Sequence, residues 1–340
     1  MSDDMSSAVG TSDEVDIVQR SLSTGLPAWC SYHGVTCNST SGSATYASVT
    51  QLSLNNLALT GTIPSSIGSL TSLQSLYLYS NSLSGTIPSS IGLLISLQYL
   101  QLDHNLLRGS IPSSIGSLTS LQYLDLNTNH LTGAISSSIW LLTSLKYLYL
   151  SHTYLSGTIP SSIGSLTLLN YLFLSLNSLT GTIPNSIGSL TSLQQLSLGI
   201  NSLSGTIPSS IGSLTSLQYF YLGTNRLIGT IPSSIGLLKS LTSMYLDTNQ
   251  LAGTIPSTFS KLTSLSSLSL NTNYLTMGSA TTVPTGTFSS ATLSGTLVLS
   301  SNCLAFTYGS ISVSVTHCAP TSGKSIMLCE YAYALSRTTA

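Results

Sequence analysis

Charge is what this chain has least of. Lys and Arg number 8, Asp and Glu 9, among 340 residues, for a formal net charge of −1. The charged fraction of 5% is far below the quarter or so that soluble proteins carry. From Val49 to Asn302 there are five Lys/Arg and three Asp. Such sparse cations exclude a basic track along a nucleic acid and a polybasic membrane patch. Ser, Thr and Asn must supply solubility instead. No apolar run approaches the roughly 18 residues that span a bilayer. The phosphate-cradling GxxxxGK(S/T), the zinc-binding HExxH and paired CxxC motifs are missing too. His104, His130 and His152 fall in separate stretches at unlike positions, so neither a metal site nor a cofactor is expected.

What the chain does have is a period of 24 residues. Leu73, Leu97, Leu121, Leu145, Leu169, Leu193, Leu217, Leu241 and Leu265 head nine consecutive units of the pattern LxxLxLxxNxLxGxIPxxIGxLxS. A divergent unit from Val49 makes ten. Each unit can bury its apolar side only against its neighbours, so a fixed period of this kind specifies a solenoid. In Leu76-Tyr77-Leu78 the alternation is strand-like, with leucines inward and the tyrosine outward. Asn81 and its counterparts Asn105, Asn129, Asn177, Asn201, Asn225, Asn249 and Asn273 cannot lie inside unless their amides are satisfied. A ladder bonding the backbone of adjacent coils accounts for them. Thr153 alone interrupts it. Beyond, Gly85 permits a close approach, Pro88 fixes φ, and Ile87, Ile91 and Leu94 complete the core around a short helical or 3₁₀ turn.

These units resemble the leucine-rich repeat family in its plant-type subclass, which includes receptor ectodomains and polygalacturonase-inhibiting proteins. The resemblance runs from about Trp29 to Cys318. It implies an α/β solenoid, a right-handed superhelix with a parallel sheet on the concave face, short second strands, and 3₁₀ or helical turns on the convex side. Three regions follow: a terminal region with a cysteine cap over 1–48, the solenoid over 49–302, and a cap with an irregular tail over 303–340. Trp29-Cys30-Ser-Tyr32-His-Gly34-Val35-Thr-Cys37 is similar to the family's CxWxGVxC cap, with Tyr32 in the place of the second Trp, and implies a Cys30–Cys37 disulfide. Residues 13–26 read as an amphipathic helix over the first coil. At the far end Cys303 and Cys318 flank a strand-like stretch and are expected to pair, leaving Cys329 over. Cysteines confined to caps indicate an oxidising compartment. The first residues carry no apolar secretory core, yet the caps favour an extracellular or cell-surface location. Asn38-Ser-Thr40 is the one glycosylation sequon.

Two surfaces of the expected coil stand out. On the sheet, the period aligns Tyr99, Tyr123, Tyr147, Tyr171 and Tyr219 in one column, and Tyr77, Asp125, Tyr149, Phe173, Tyr221 and Tyr245 in the next. Tyr offers large contact area at low entropic cost plus a hydroxyl, which suits a protein, peptide or glycan partner. Cross-strand aromatics also stabilise a sheet without any ligand, by about 0.2–1 kcal/mol per pair. The units around Ser136, Trp140 and Thr153 vary most, through either a contact site or drift. On the opposite edge, Thr62, Thr86, Thr158, Thr182, Thr206, Thr230 and Thr254 precede the Ile-Pro pair. Thr60, Ser84, Ser156, Thr180 and Ser204 stand two residues earlier. Parallel hydroxyl columns of this kind could order water on a lattice, and some plant-type relatives bind ice. They could equally carry sugars in a surface coat or fibre, or simply suit a short exposed strand. Asp103, His104 and Asp125 superficially resemble an acid–base group, but hydrolysis needs two carboxylates with separated pKa values in a cleft, which an open sheet lacks. The sequence therefore reads as a non-catalytic extracellular recognition protein using its Tyr-rich face, with ice binding as the main alternative.

Overall fold

The computed structural model describes residues 33–37 and 48–276, and beyond them the strands Leu297–Val298, Phe306–Tyr308, Ile311–Val313, Cys318–Pro320 and Met327–Cys329. The chain falls into two compact units, Met1–Ser178 and Leu179–Ala340, each built from the same coil. In the first, Val35–Cys37 runs antiparallel to Val49–Ser53. Ser75–Tyr77, Tyr99–Gln101, Tyr123–Asp125, Tyr147–Tyr149 and Tyr171–Phe173 then follow in parallel. In the second, Gln195–Ser197, Tyr219–Tyr221, Ser243–Tyr245, Ser267–Ser269 and Leu297–Val298 form a parallel set. Successive strands pair residues 24 positions apart, as Tyr99↔Tyr123 and Tyr123↔Tyr147. The sequence period and the strand register are therefore the same number.

After each sheet strand the chain turns, runs briefly extended, and enters a five-residue 3₁₀ helix such as Ser89–Leu93, which Pro88 leads into at φ −69° and ψ 142°. Among the described residues no α-helix occurs, because a coil of 24 residues leaves room for only one tight turn on this side. Leu73, Leu76, Leu78, Leu83, Ile87, Ile91 and Leu94 are all buried, as their periodic spacing requires. Where the coils approach this closely the turn takes glycine: a Cβ on Gly92 would lie 2.4 Å from the Ser114 carbonyl oxygen of the next coil. Trp140 occupies the corresponding place one period-pair later and is itself buried, its indole N–H without a partner. Trp140 and Thr153 are thus interior residues, which removes them from any contact site.

The asparagine ladder is present in both units. Asn105 Nδ2 donates to the Leu78 carbonyl of the preceding coil at 2.9 Å and to Leu102 at 3.1 Å, while its Oδ1 accepts the Leu83 N–H at 2.9 Å. Asn129 and Asn249 repeat the scheme. At the interruption, the Thr153 hydroxyl lies 2.6 Å from Asn177 Oδ1 and 3.1 Å from the Leu150 carbonyl, its single proton shared between the two acceptors. The residue before each ladder position takes a left-handed turn. Ser80, His104, Thr128 and His152 in the first unit, and Ile200, Thr224, Thr248 and Thr272 in the second, have φ between 52° and 58°. This conformation is costly for β-branched side chains. Backbone bonds to the next coil hold it, as His104 N–H to Asn127 and Asn105 N–H to Thr128.

Of the expected caps, Cys37 is disulfide-bonded. Its expected partner Cys30, the helix over 13–26, Asn38 and Cys303 lie outside the described residues. Cys318–Pro320 pairs antiparallel with Met327–Cys329, with Cys318 opposite Cys329 in the backbone register.

Candidate functional site

The alternation of the sheet strands decides what faces outward in the first unit. With Leu100, Leu124, Leu148 and Leu172 fully buried, the residues on either side of each project from the opposite face. One row runs Ser75–Tyr99–Tyr123–Tyr147–Tyr171 and the next Tyr77–Gln101–Asp125–Tyr149–Phe173. Side chains in a row stand one strand apart, so six rings meet. Tyr99 and Tyr123 have centroids 6.5 Å apart, Tyr123 and Tyr147 5.3 Å, and Tyr147 and Tyr171 5.3 Å with planes only 17° apart. In the second row Tyr149 meets Phe173 edge-on at 4.8 Å, and Tyr149 also lies 5.4 Å from Tyr123. Tyr77, the remaining aromatic of that row, sits opposite Gln101 and is separated from Tyr149 by Gln101 and Asp125.

This packing has a chemical consequence. Rings packed this closely, most of them tilted and Tyr147 stacked on Tyr171, cover part of one another's surface and leave edges and hydroxyls toward solvent. Tyr99, at the end of its row, is 38% exposed. The ladder is therefore an amphipathic strip of half-buried edges. Burial raises the Tyr123 and Tyr149 hydroxyl pKa values, Tyr149 to about 12, with Asp125 the next largest cause for each. Both hydroxyls are accordingly protonated donors at neutral pH.

Beside the ladder lie the carboxylates. Asp125 is buried, and accepts the Asn127 N–H at 3.0 Å. Burial first, and the charge of Asp103 second, raise its pKa from 3.8 to about 7, against a smaller opposing effect of the Asn127 bond and of His104. Asp103 holds His104 Nδ1 at 2.9 Å through Oδ2, while its Oδ1 has no hydrogen-bond partner. The 24-residue period sets Asp103 and His104 in columns beside the aromatic rows; Asp103 falls two residues beyond Gln101, just outside the strand, and His104 lies in the left-handed turn that follows.

In the second unit Tyr219, Tyr221 and Tyr245 form a smaller cluster, with Tyr221 stacked on Tyr245 at 4.9 Å and 19° and Tyr219 at 6.2 Å from Tyr221. Gln195 and Ser197 take the corresponding places on the neighbouring strand.

The threonine edge is exposed at Thr60, Thr62, Thr86, Thr158, Thr180, Thr182, Thr206, Thr230 and Thr254. The edge segments pair 22 residues apart, as Thr62↔Ser84, Thr86↔Arg108 and Thr182↔Ser204, so each threonine stands beside the earlier residue of the next coil. Arg108 therefore enters the array directly. The Ser84 and Ser204 hydroxyls donate back to the Gly61 and Gly181 carbonyls, which gives them structural work between coils. Ser156 is partly buried.

Comparison with known proteins places these coils among relatives. Leucine rich repeat family models match residues 96–155 and 143–203, and 72–94, 216–238 and 240–262. No curated protein matches the chain. Among solved structures, the plant peptide hormone receptor RGFR1 in complex with RGF2 is 39% identical, with a TM-score of 0.63 over 64% of this chain and 35% of its own. A TDR receptor structure is 34% identical, with a TM-score of 0.64 over 75% of this chain and 47% of its own. A plant ice-binding protein is 27% identical, with a TM-score of 0.65 over 78% of this chain and 88% of its own. The chain thus spans less than half the length of the two receptors.

Proposed function

Because the chain belongs to the leucine-rich repeat family, we propose that it is an extracellular, non-catalytic recognition protein that binds an extended peptide or protein segment across the aromatic sheet face of its first unit. The observation that carries this reading is the ladder of Tyr99, Tyr123, Tyr147, Tyr149, Tyr171 and Phe173 on a face that none of the unit's described elements covers. Ring edges and protonated hydroxyls alternating at strand spacing match the alternating side chains and amides of an extended chain. A glycan is the poorer fit, since sugar stacking needs open ring faces and the rings here lie against one another, Tyr147 stacked on Tyr171 and Tyr123 tilted against Tyr147. Peptide-hormone receptors among the similar structures support the same class of partner. Glycosylation at Asn38 and terminal disulfides complete the reading.

The test is capture of linear 12-residue peptides from a displayed random library by the full chain. Selected peptides are expected to lose most of their affinity for the Tyr147→Ala, Tyr171→Ala double variant. Undiminished binding to that variant would reject the sheet face as the binding surface.

A second reading, ice binding through the Thr edge, is favoured by the exposed threonines and by the similarity to a plant ice-binding protein. Against it stand the entry of Arg108 into the array and serine hydroxyls already bonded to backbone. A single ice crystal grown in the purified protein decides: faceting that disappears in Thr182→Tyr with Thr206→Tyr would replace the peptide reading with this one.

A further inference from the structure

We propose that the threonine edge carries a binding site for an acidic saccharide, a chain of sugars bearing carboxylates, built in the first unit from Leu106, Arg108, His130, Thr132 and Tyr154. The site is separate from the aromatic sheet face and goes beyond the recognition reading above.

The repeat itself marks the place. Leu106, His130 and Tyr154 stand on consecutive coils in one column, which holds serine at Ser82, Ser178 and Ser202. Arg108 interrupts a second column that otherwise holds only Thr or Ser from Thr60 to Ser204. On these coils the edge forms a four-stranded sheet of Arg108–Gly109, His130–Ala134, Tyr154–Thr158 and Ser178–Thr180. Arg108 is the register partner of His130, and Thr132 that of Tyr154. Leu107, Leu131 and Leu155 are fully buried, so the residues flanking them project together from the opposite face.

The chemistry differs from that of the sheet face. His130 and Tyr154 lie nearly parallel, 12° apart with centroids at 5.9 Å, and the next coil has only Ser178 in their column. Tyr154 is 60% exposed, the most open tyrosine among the described residues. The ring face turned away from His130 is the platform on which a pyranose stacks. Arg108 stands two strands from Tyr154, about 10 Å across the backbone, which two linked sugars span. It is exposed, and among the described residues no carboxylate pairs with it. Its planar fork binds a sugar carboxylate through two parallel hydrogen bonds. Thr86 beside Arg108 and Thr132 beside Tyr154 are exposed, and their hydroxyls both donate and accept, as sugar hydroxyls do. An acidic peptide satisfies Arg108 alone, whereas a sugar acid engages ring, hydroxyls and cation together.

The second unit holds the same set of groups. Arg226, Ile228, Gln250 and Tyr274 occupy the places of Leu106, Arg108, His130 and Tyr154. The register is equivalent, Ile228 opposite Gln250 and Ala252 opposite Tyr274, and Tyr274 is 49% exposed. Cation and aliphatic have exchanged places, which a plain copy of the coil would not do. What recurs is a cation, an exposed aliphatic and an open tyrosine.

The experiment titrates the full chain calorimetrically with a hexamer of glucuronic acid, with neutral cellohexaose and with poly-glutamate. The glucuronate is expected to bind about tenfold or more tightly than cellohexaose, the contribution of one charge-assisted pair. Poly-glutamate should bind no better than cellohexaose. Tyr154→Ala with Tyr274→Ala should weaken glucuronate binding about tenfold, and Arg108→Gln with Arg226→Gln should erase its preference over cellohexaose. Equal affinity for the three probes, no binding of the glucuronate, poly-glutamate binding as tightly as it does, or undiminished binding to the tyrosine variant would overturn the inference. The Tyr147→Ala, Tyr171→Ala variant should bind the glucuronate as the native protein does; a loss there would move the saccharide to the sheet face and overturn the edge site. Peptides selected on the sheet face should bind both edge variants unchanged, which shows that these variants fold and keeps the fate of the recognition reading separate.

Discussion

Replacing Asp125 by Asn is expected to stabilise the protein above pH 7 and to flatten its stability between pH 4 and 7. Asp125 is 8% exposed, and its pKa is raised from 3.8 to about 7. The folded chain therefore favours the protonated carboxyl and binds more protons than the unfolded chain between those two values. Linkage then requires stability to fall as pH rises through that window and to level off above it. Roughly three pKa units at 1.36 kcal/mol each correspond to about 4 kcal/mol. Water at the open face of the sheet reduces this to about 2–3 kcal/mol by raising the local dielectric. Asn keeps an oxygen for the Asn127 N–H that Asp125 now accepts at 3.0 Å, and its amide can donate to the Tyr123 hydroxyl that now bonds the carboxyl, so the main change is the loss of the charge. Trp140 is buried in the same unit, and its fluorescence during urea unfolding follows that unit. Native protein should show a midpoint that drops from pH 4.5 to 8, while that of the variant stays nearly level. Parallel midpoints across the range would mean that Asp125 is ionised in the fold throughout, and the reasoning about its burial would be refuted.

Three further substitutions probe the coil itself. Thr153→Asn restores the amide missing from the ladder and should raise stability by about 1 kcal/mol, measured by the same fluorescence titration; a loss would show that the Thr153–Asn177 bond is worth more than the pattern it interrupts. Trp140→Ala opens a cavity in the core and should cost about 3–5 kcal/mol. Trp140→Phe should cost much less, because the indole N–H it removes has no partner, and equal losses would point to a hidden bond at that nitrogen. Ile200→Asn replaces a β-branched residue held at φ 55° by one that tolerates the left-handed region, and should gain about 1 kcal/mol. A thermal melt followed by circular dichroism reads that gain, and an unchanged or lower midpoint would show that the turn is not strained.

The coil was legible residue by residue because its signals are local and repeated. Leu76, Leu78, Ile87 and Ile91 announce their burial by polarity and spacing alone, and Asn105 announces its hydrogen bonds by being polar among them. The outward rows were legible for the same reason: a strand alternates, so burying Leu148 obliges Tyr147 and Tyr149 to face the other way. Trp140 was less so, since a large residue at a glycine position reads equally as surface insertion or as core.

What the sequence determined by itself is therefore the period, the strand register that copies it, the buried leucines and the face on which the tyrosines stand, because each follows from one residue's polarity and its place in a 24-residue cycle. Only the tertiary structure decided the 22-residue register along the threonine edge, the left-handed turn before the ladder positions, the mix of tilted and stacked rings, and the burial of Asp125. Those depend on distances between coils, set by how backbone and side chains meet across the stack, and no single unit of the repeat contains them.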